Sequence, residues 1–175
     1  AAELSKNGVT VIITDLPGED LNKTSSDLGL VAVGADLGRE SSVSSLMENL
    51  RLEVDSIDIL VSAAGGVCGQ TGKPITEVSE RDWREIFAAN LDSVFFLTRH
   101  MGPMMAANGW GRIVTISSGA GLRPSLTGIQ AYTAAKHGLI GLTKQLSSEF
   151  ARHGVTVNSI APGLVLSNSM TQRQW

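Results

Sequence analysis

Arg112-Ile-Val-Thr-Ile-Ser-Ser-Gly-Ala-Gly121, followed after a short loop by Ala131-Tyr-Thr-Ala-Ala-Lys136, decides the fold. The first run is β-branched and apolar, as a buried strand requires, and it ends in a turn of small residues. The second opens a helical pattern. Tyr132 and Lys136 stand four apart, so on a helix they share one face and can line one pocket. Ser118 closes the strand fourteen residues before the tyrosine. A free phenol, with a pKa of about 10, is a poor acid-base catalyst at neutral pH. A nearby ammonium favours its phenolate form. A hydroxyl at the strand end can hold a substrate oxygen beside the phenol. Such a set can move a proton on or off an alcohol or carbonyl while a hydride moves elsewhere. The plainer alternative is a surface tyrosine near a surface lysine. Tyr132 is the only tyrosine in the 175 residues, which makes its pairing with a lysine the more pointed.

Outward from this stretch, short Val/Ile-rich runs alternate with longer helical ones. Residues 9–14, 30–33, 57–61, 112–116 and 155–160 read as strands covered on both faces. Ser79-Glu-Arg-Asp82 opens a helix in the manner of a capping box. Trp83, Ile86, Phe87, Val94, Leu97, Met101 and Met104 then form one apolar stripe over about 80–108. A second long helix covers about 131–152, with Leu139, Leu142, Leu146 and Phe150 at helical spacing and Gly154 as its C-terminal cap. The alternation predicts an α/β domain with a doubly wound parallel sheet, whose ligands bind at the carboxyl ends of the strands.

Composition narrows the rest. The length fits one domain. The net charge of −3, with no basic run, argues against nucleic acid. No apolar run reaches membrane-spanning length, and no signal peptide is visible. Cys68 is the single cysteine; it suits a reducing, cytoplasmic setting and reads as an inert loop thiol. His100, His137 and His153 lack metal-ligand spacing, so no metal site is expected.

The strand ends carry the remaining candidates. Asp15 and Leu16 follow the first strand. In dinucleotide folds an acid at the end of the second strand accepts hydrogen bonds from the adenosine ribose and repels a 2′-phosphate, which favours NAD over NADP. The alternative is a strand-end aspartate starting a turn with Pro17-Gly18. Asp36 and the backbone of Leu37 can read an adenine edge, or Asp36 can cap a helix. Ser62-Ala63-Ala64-Gly65-Gly66 lets a cofactor approach the backbone closely, or is a plain glycine turn. Asn90 interrupts the apolar stripe. It is either a structural core amide or an amide that disturbs the helix and frees a carbonyl to hold a water. Pro162-Gly163 ends the last strand and leaves the backbone of Val165 and the hydroxyl of Ser167 available to a bound ring.

Together these motifs resemble the short-chain dehydrogenase/reductase family in its common form, over nearly the whole chain. The resemblance implies a Rossmann-type, three-layer α/β/α fold. It implies that Asn90, Ser118, Tyr132 and Lys136 are the active-site set and that Asp36 binds adenine. Asp15, Leu16, Leu37, Ala63, Ala64, Gly65, Pro162, Gly163, Val165 and Ser167 would complete the cofactor site with Tyr132 and Lys136. Three departures stand out. The family's Asn-Asn-Ala-Gly turn is Ser62-Ala63-Ala64-Gly65 here. The serine-to-tyrosine spacing is one residue longer than the commonest; Ser118 fits better than Ser117, because Gly119-Ala-Gly121 follows it and neighbouring strand residues face opposite sides. The family's first strand and glycine-rich phosphate loop would precede Ala1, and its last strand and much of its lid would follow Trp175. The family's sheet order puts that first strand between those carrying Asp15 and Ser62. The expectation is one dinucleotide-binding domain over residues 1–175, incomplete at both ends and internal to a longer protein.

The implied activity is NAD(H)-dependent interconversion of a secondary alcohol and a ketone, with a small-molecule substrate and assembly as a homotetramer or homodimer through the two long helices. Tyr132 would exchange the hydroxyl proton, and Ser118 would hold the substrate oxygen. Lys136 would favour the phenolate and hold the nicotinamide ribose, and Asn90 would hold a relay water. The rivals are a 3-oxoacyl-thioester reductase, which commonly uses NADP, a nucleotide-binding homologue without catalysis, and a purely structural module.

Overall fold

The computed structural model describes residues 1–125, 128–163 and 165. Helix α1 (Ala2–Lys6) leads to strand β1 (Ile12–Asp15), helix α2 (Glu19–Leu28), strand β2 (Val31–Gly34), helix α3 (Glu40–Glu53) and strand β3 (Ile59–Ser62). A loop with a short 3-10 turn (Ile75–Glu77) enters α4 (Glu80–Phe87), which a π-helical turn (Ala88–Asp92) joins to α5 (Ser93–Ala107). Then come β4 (Gly111–Ile116), a 3-10 turn (Gly119–Gly121), α6 (Gln130–Phe150), a further 3-10 turn (Ala151–His153) and β5 (Val155–Ile160). This is an α/β fold in which every described strand pair is parallel.

Local chemistry explains the boundaries. Gly29 ends α2 in the left-handed conformation, and Leu30 N donates to Ser25 O at 3.1 Å across it. Leu30 therefore belongs to the helix terminus, and β2 starts one residue later than the apolar run suggests. The strands expected from residues 9 and 57 likewise start later: Val9, Thr10 and Val11 lie outside β1, and Ile57 and Asp58 lie outside β3. The capping box at α4 is present: Asp82 N donates to Ser79 Oγ at 3.0 Å and Ser79 N donates back to the Asp82 carboxylate. Gly154 adopts the left-handed conformation as the cap of the 3-10 turn that follows α6.

The strands form two ladders. β1 pairs with β2, and β3–β4–β5 form the second, with no pairing between the two sets among the described residues. Register brings the carboxyl ends level within each: Asp15 pairs Gly34, Ser62 pairs Thr115, and Ile116 pairs Ile160. One core joins both ladders. Ala35 and Leu37 beyond β2 pack with Leu60, Ile113, Val155 and Val157 and with the inner sides of α3 and α5.

The expectation of strands covered on both faces needs correction. Leu60 is buried while its neighbours Ile59 and Val61 are 37% and 49% exposed, and Ile160 is exposed at the end of β5. Burial alternates along β3, so only one face of the second ladder is closed by the described residues. Val/Ile content reports that a residue suits a strand, not which face has a neighbour.

Candidate active site

The site grows from the first turns of α6. Lys136 is 4% exposed. Its Nζ donates to Ile116 O at 2.7 Å, at the carboxyl end of β4, and lies 5.5 Å from the Tyr132 ring centroid. Helical spacing thus brings phenol and amine to one face. Burial pushes the Lys136 amine down to about 8. The packing beneath is close. Ser117 Oγ donates to Lys136 O at 3.1 Å, and a Cβ at Gly121 would stand 2.8 Å from that same carbonyl oxygen. Ser117 therefore faces the underside of α6. Ser118 is half-buried, and its Oγ accepts from Ala120 N at 3.1 Å, which shapes the small-residue turn.

Asn90 closes the next side. It is fully buried at the centre of the π-helical turn. Its Nδ2 donates to Ile86 O and to Gly66 O, each at 2.8 Å, and its Oδ1 accepts from Gly66 N at 3.0 Å. The Ile86 carbonyl is the one a regular helix would offer to the backbone N–H of residue 90, so the side chain competes with the ladder where the helix widens. Both alternatives read from the sequence meet here: the amide is a satisfied core group, and it lies where the helix is disturbed. Gly65 must lack a side chain, because a Cβ there would collide with Asn90 Oδ1 and stand 3.4 Å from Lys136 Nζ. The β3 turn, Asn90 and Lys136 are therefore one packed unit.

Two more strand ends join it. Ser117 N donates to Ile160 O and Gly119 N to Pro162 O, each at 2.7 Å, which places the Pro162-Gly163 turn against the Ser118 turn. Val165 is exposed. Ser167 lies outside the described residues. On the other side, a Cβ at Gly38 would stand 3.1 Å from Ala88 Cβ, so the Asp36-Leu37 turn abuts the π-helical turn that carries Asn90. An open cleft of about 390 Å³ lies between them, lined by Asp36, Gly38, Arg39, Glu85 and Ala88 among others. Asp36 is already engaged: Oδ1 accepts from Gly38 N at 3.1 Å and Oδ2 from Arg39 Nε at 2.9 Å. Leu37 points its side chain into the core. Asp15 turns its Oδ1 to Leu16 N at 2.7 Å, and Leu16 is exposed. No described hydrogen bond links Asp15 or Leu16 to the rest of the set.

The residues fit a dinucleotide in part. Gly66 and Gly163 have open space where a Cβ would be, so a flat group can approach the backbone there. Ser62, the first residue of the altered turn, keeps a buried Oγ without a described partner. Two contacts escaped the sequence reading: the bond by which the backbone of Gly66, in the glycine turn, holds Asn90, and the one by which Gln70 and Gln130 hold each other across 60 residues. Only the apolar-stripe break at Asn90 hinted at the first, and nothing local signals the glutamine pair. No cluster of three or more His, Cys, Asp or Glu side chains that could hold a metal ion occurs among the described residues, and no described helix is long and apolar enough to cross a membrane.

A parallel α/β fold with a buried lysine beside a tyrosine at the strand ends defines a class of nucleotide-fold protein. The chain belongs to the short-chain dehydrogenase family, which it matches over residues 1–175. It is 37% identical over 174 residues to D-beta-hydroxybutyrate dehydrogenase of Rhizobium meliloti (strain 1021), covering 95% of this chain and 66% of that protein. It is 36% identical over 171 residues to a 3-oxoacyl-[acyl-carrier-protein] reductase of Aquifex aeolicus (strain VF5), covering 94% and 67%. Sorbitol-6-phosphate 2-dehydrogenase of Erwinia amylovora superposes with a TM-score of 0.86 at 29% identity, covering 98% of this chain and 69% of that one. The chain spans about two thirds or less of the length of the curated relatives it matches.

Lys136 makes stability depend on pH. Its pKa falls from 10.5 when exposed to about 8 in the fold. Below about 8 both states hold the proton, and the native state bears the full cost of a buried charge. Between about 8 and 10.5 the native state releases the proton while the unfolded state keeps it, so stability rises with pH. Urea unfolding of wild type and Lys136→Met should diverge across that window, wild type gaining on the order of 3 kcal/mol relative to the variant. Parallel pH curves would contradict a titrating buried amine.

Proposed function

We propose that the protein is an NAD(H)-dependent oxidoreductase that interconverts a secondary alcohol and a ketone. The observation that carries this reading is the buried Lys136 amine, 5.5 Å from the Tyr132 ring and hydrogen-bonded to Ile116 O. Tyr132 takes the hydroxyl proton in oxidation and returns it in reduction. Ser118 donates to the substrate oxygen as charge develops on it. Lys136 stabilises negative charge on the phenol oxygen and holds the ribose. The widened helix at Asn90, packed against Gly65 near Lys136, is the place for the water of a proton relay. A bound nicotinamide would supply or accept the hydride, chemistry that is the cofactor's own. Asp15 and Leu16 would meet the adenosine ribose, Asp36 and Leu37 the adenine, Ala63, Ala64 and Gly65 the adjoining backbone edge, and Pro162, Gly163, Val165 and Ser167 the nicotinamide.

The test is oxidation of NADH with a ketone panel and reduction of NAD with the matching alcohols, D-3-hydroxybutyrate and sugar alcohols included. Turnover on at least one pair is the expected result. A protein that binds NADH and turns over nothing would be a nucleotide-binding homologue instead.

Asp15 sets the cofactor preference in this reading. Asp15→Ser should weaken NAD binding by about 10-fold or more, since a hydrogen bond to a charged group is worth about 1.5–3 kcal/mol. The same change should strengthen NADP binding by removing repulsion of the 2′-phosphate. Titrations in which the variant keeps the wild-type preference would remove Asp15 from the site. A wild type that prefers NADP would favour the thioester-reductase reading, which the likeness to the Aquifex aeolicus reductase also supports.

Self-association through α4, α5 and α6, in a cytoplasmic setting, completes the proposal. Trp83 stacks on Phe87 with ring centroids 4.7 Å apart, and Trp83 and Phe95 are both exposed, which suits a contact between subunits.

A further inference from the structure

A pair of glutamines ties the loop after β3 to the start of α6. Gln70 is 1% exposed. Its Nε2 donates to Gln130 Oε1 at 2.8 Å and to Gly128 O at 3.2 Å. Gln130 returns the contact, its Nε2 donating to Lys73 O at 2.8 Å. Gly128, at φ +60°, lies flat on the loop; a Cβ there would stand 3.1 Å from the backbone of Gly72 and Lys73. Lys73 is held in turn by Asp82, Nζ to Oδ2 at 3.0 Å, and Asp82 closes the capping box of α4. A continuous set of polar contacts thus runs from the first turn of α4 to the first turn of α6.

The first turn of α6 needs such support. Its N-cap residue is Ile129, which provides no side-chain cap. An uncapped helix start has free N–H groups and frays readily. Gln130 is the first residue of α6, and Tyr132 follows two residues later. The loop also begins at the Gly65-Gly66 turn that Asn90 holds, so one loop touches both ends of the site.

We propose that Gln70 and Gln130 form a positioning latch that fixes Tyr132 for proton transfer. The inference deepens the oxidoreductase reading and rests on it. The phenol oxygen must lie within hydrogen-bond reach of the substrate oxygen. The latch sets that reach by anchoring the helix start to the loop rather than by touching substrate. Its glutamines are positioning residues, not catalytic ones.

The test uses Gln70→Met, Gln130→Met and the double variant in the full chain; methionine keeps the unbranched shape and removes the hydrogen bonds. Each single change should lower kcat by about 100-fold, the scale of an ångström-sized misplacement. NADH affinity, read by fluorescence, should stay within about twofold, because no cofactor contact is touched. The double variant should lose no more than either single one, since all three break the same latch. Gln130→Glu keeps the acceptor for Gln70 Nε2 and should retain more activity than Gln130→Met. A second readout needs no substrate. With ring-¹³C tyrosine, the NMR signal missing from Tyr132→Phe belongs to Tyr132. It should be a single sharp signal in wild type and broadened or split in the methionine variants. Additive kcat losses, or a ring signal unchanged by either methionine variant, would overturn the latch. If wild type turns over no member of the ketone panel, the oxidoreductase reading falls with the kinetic arm, and the ring signal still decides whether the glutamines order Tyr132.

Discussion

Tyr132→Phe lowers kcat by about 10³-fold, the scale of a lost general acid-base catalyst, and leaves NADH binding within about twofold of wild type. The change removes one oxygen and keeps the ring. The ring is what packs: Tyr132 adjoins the small cluster of Ile86, Ala131 and Ala135, and its face meets the Lys136 amine. Stability should therefore hold, and a fall in melting temperature would signal repacking rather than lost chemistry. Steady-state kinetics with an NADH titration separates the cases. A variant that keeps wild-type kcat would remove Tyr132 from proton transfer and with it the proposed mechanism.

The second large effect belongs to Asn90→Ala and is one of stability as well as activity. The substitution leaves Gly66 N, Gly66 O and Ile86 O without the partners that the amide supplies. An unpaired group costs about 1–3 kcal/mol when buried; Gly66 is only half-buried and water can reach its freed groups, so the total for the three stays near the lower end, roughly 3–5 kcal/mol. For a protein of this size that lowers Tm by roughly 10 °C. The same change frees the Gly65-Gly66 turn, so NADH affinity should fall with stability. Ser93→Ala is the control. Ser93 is as buried as Asn90, but the one described hydrogen bond of its hydroxyl is local, to Ala89 O in the adjoining π-helical turn at 2.8 Å. Its loss should stay within about 1 kcal/mol. Equal losses in the two variants would show that burial, not the bond to the cofactor turn, sets the effect.

The parts of the site that sequence reveals are those whose geometry is local. Tyr132 and Lys136 are four apart on one helix, and helical periodicity alone puts them together. The capping box at Ser79 and Asp82 is legible for the same reason. Asn90 is legible as a polar break in an apolar stripe, though its partner Gly66 is not, because that contact crosses 24 residues. Gln70 and Gln130 escape for a stronger version of the same cause: the contact depends on how two loops meet. Strand boundaries fail where apolar runs serve other ends, as with Leu30 in the terminus of α2. Periodicity likewise finds five strands but says nothing of their division into two ladders, since pairing is a property of chain segments far apart.

The most direct test of the central claim is thermal unfolding of the full chain with NAD and, separately, with NADP. A ligand that binds only the native state raises Tm by mass action, by roughly 5–10 °C at a hundred times its Kd. The account predicts that NAD raises Tm and that NADP, facing Asp15, does so far less. If neither raises it, the strand ends hold no dinucleotide and the oxidoreductase proposal is contradicted.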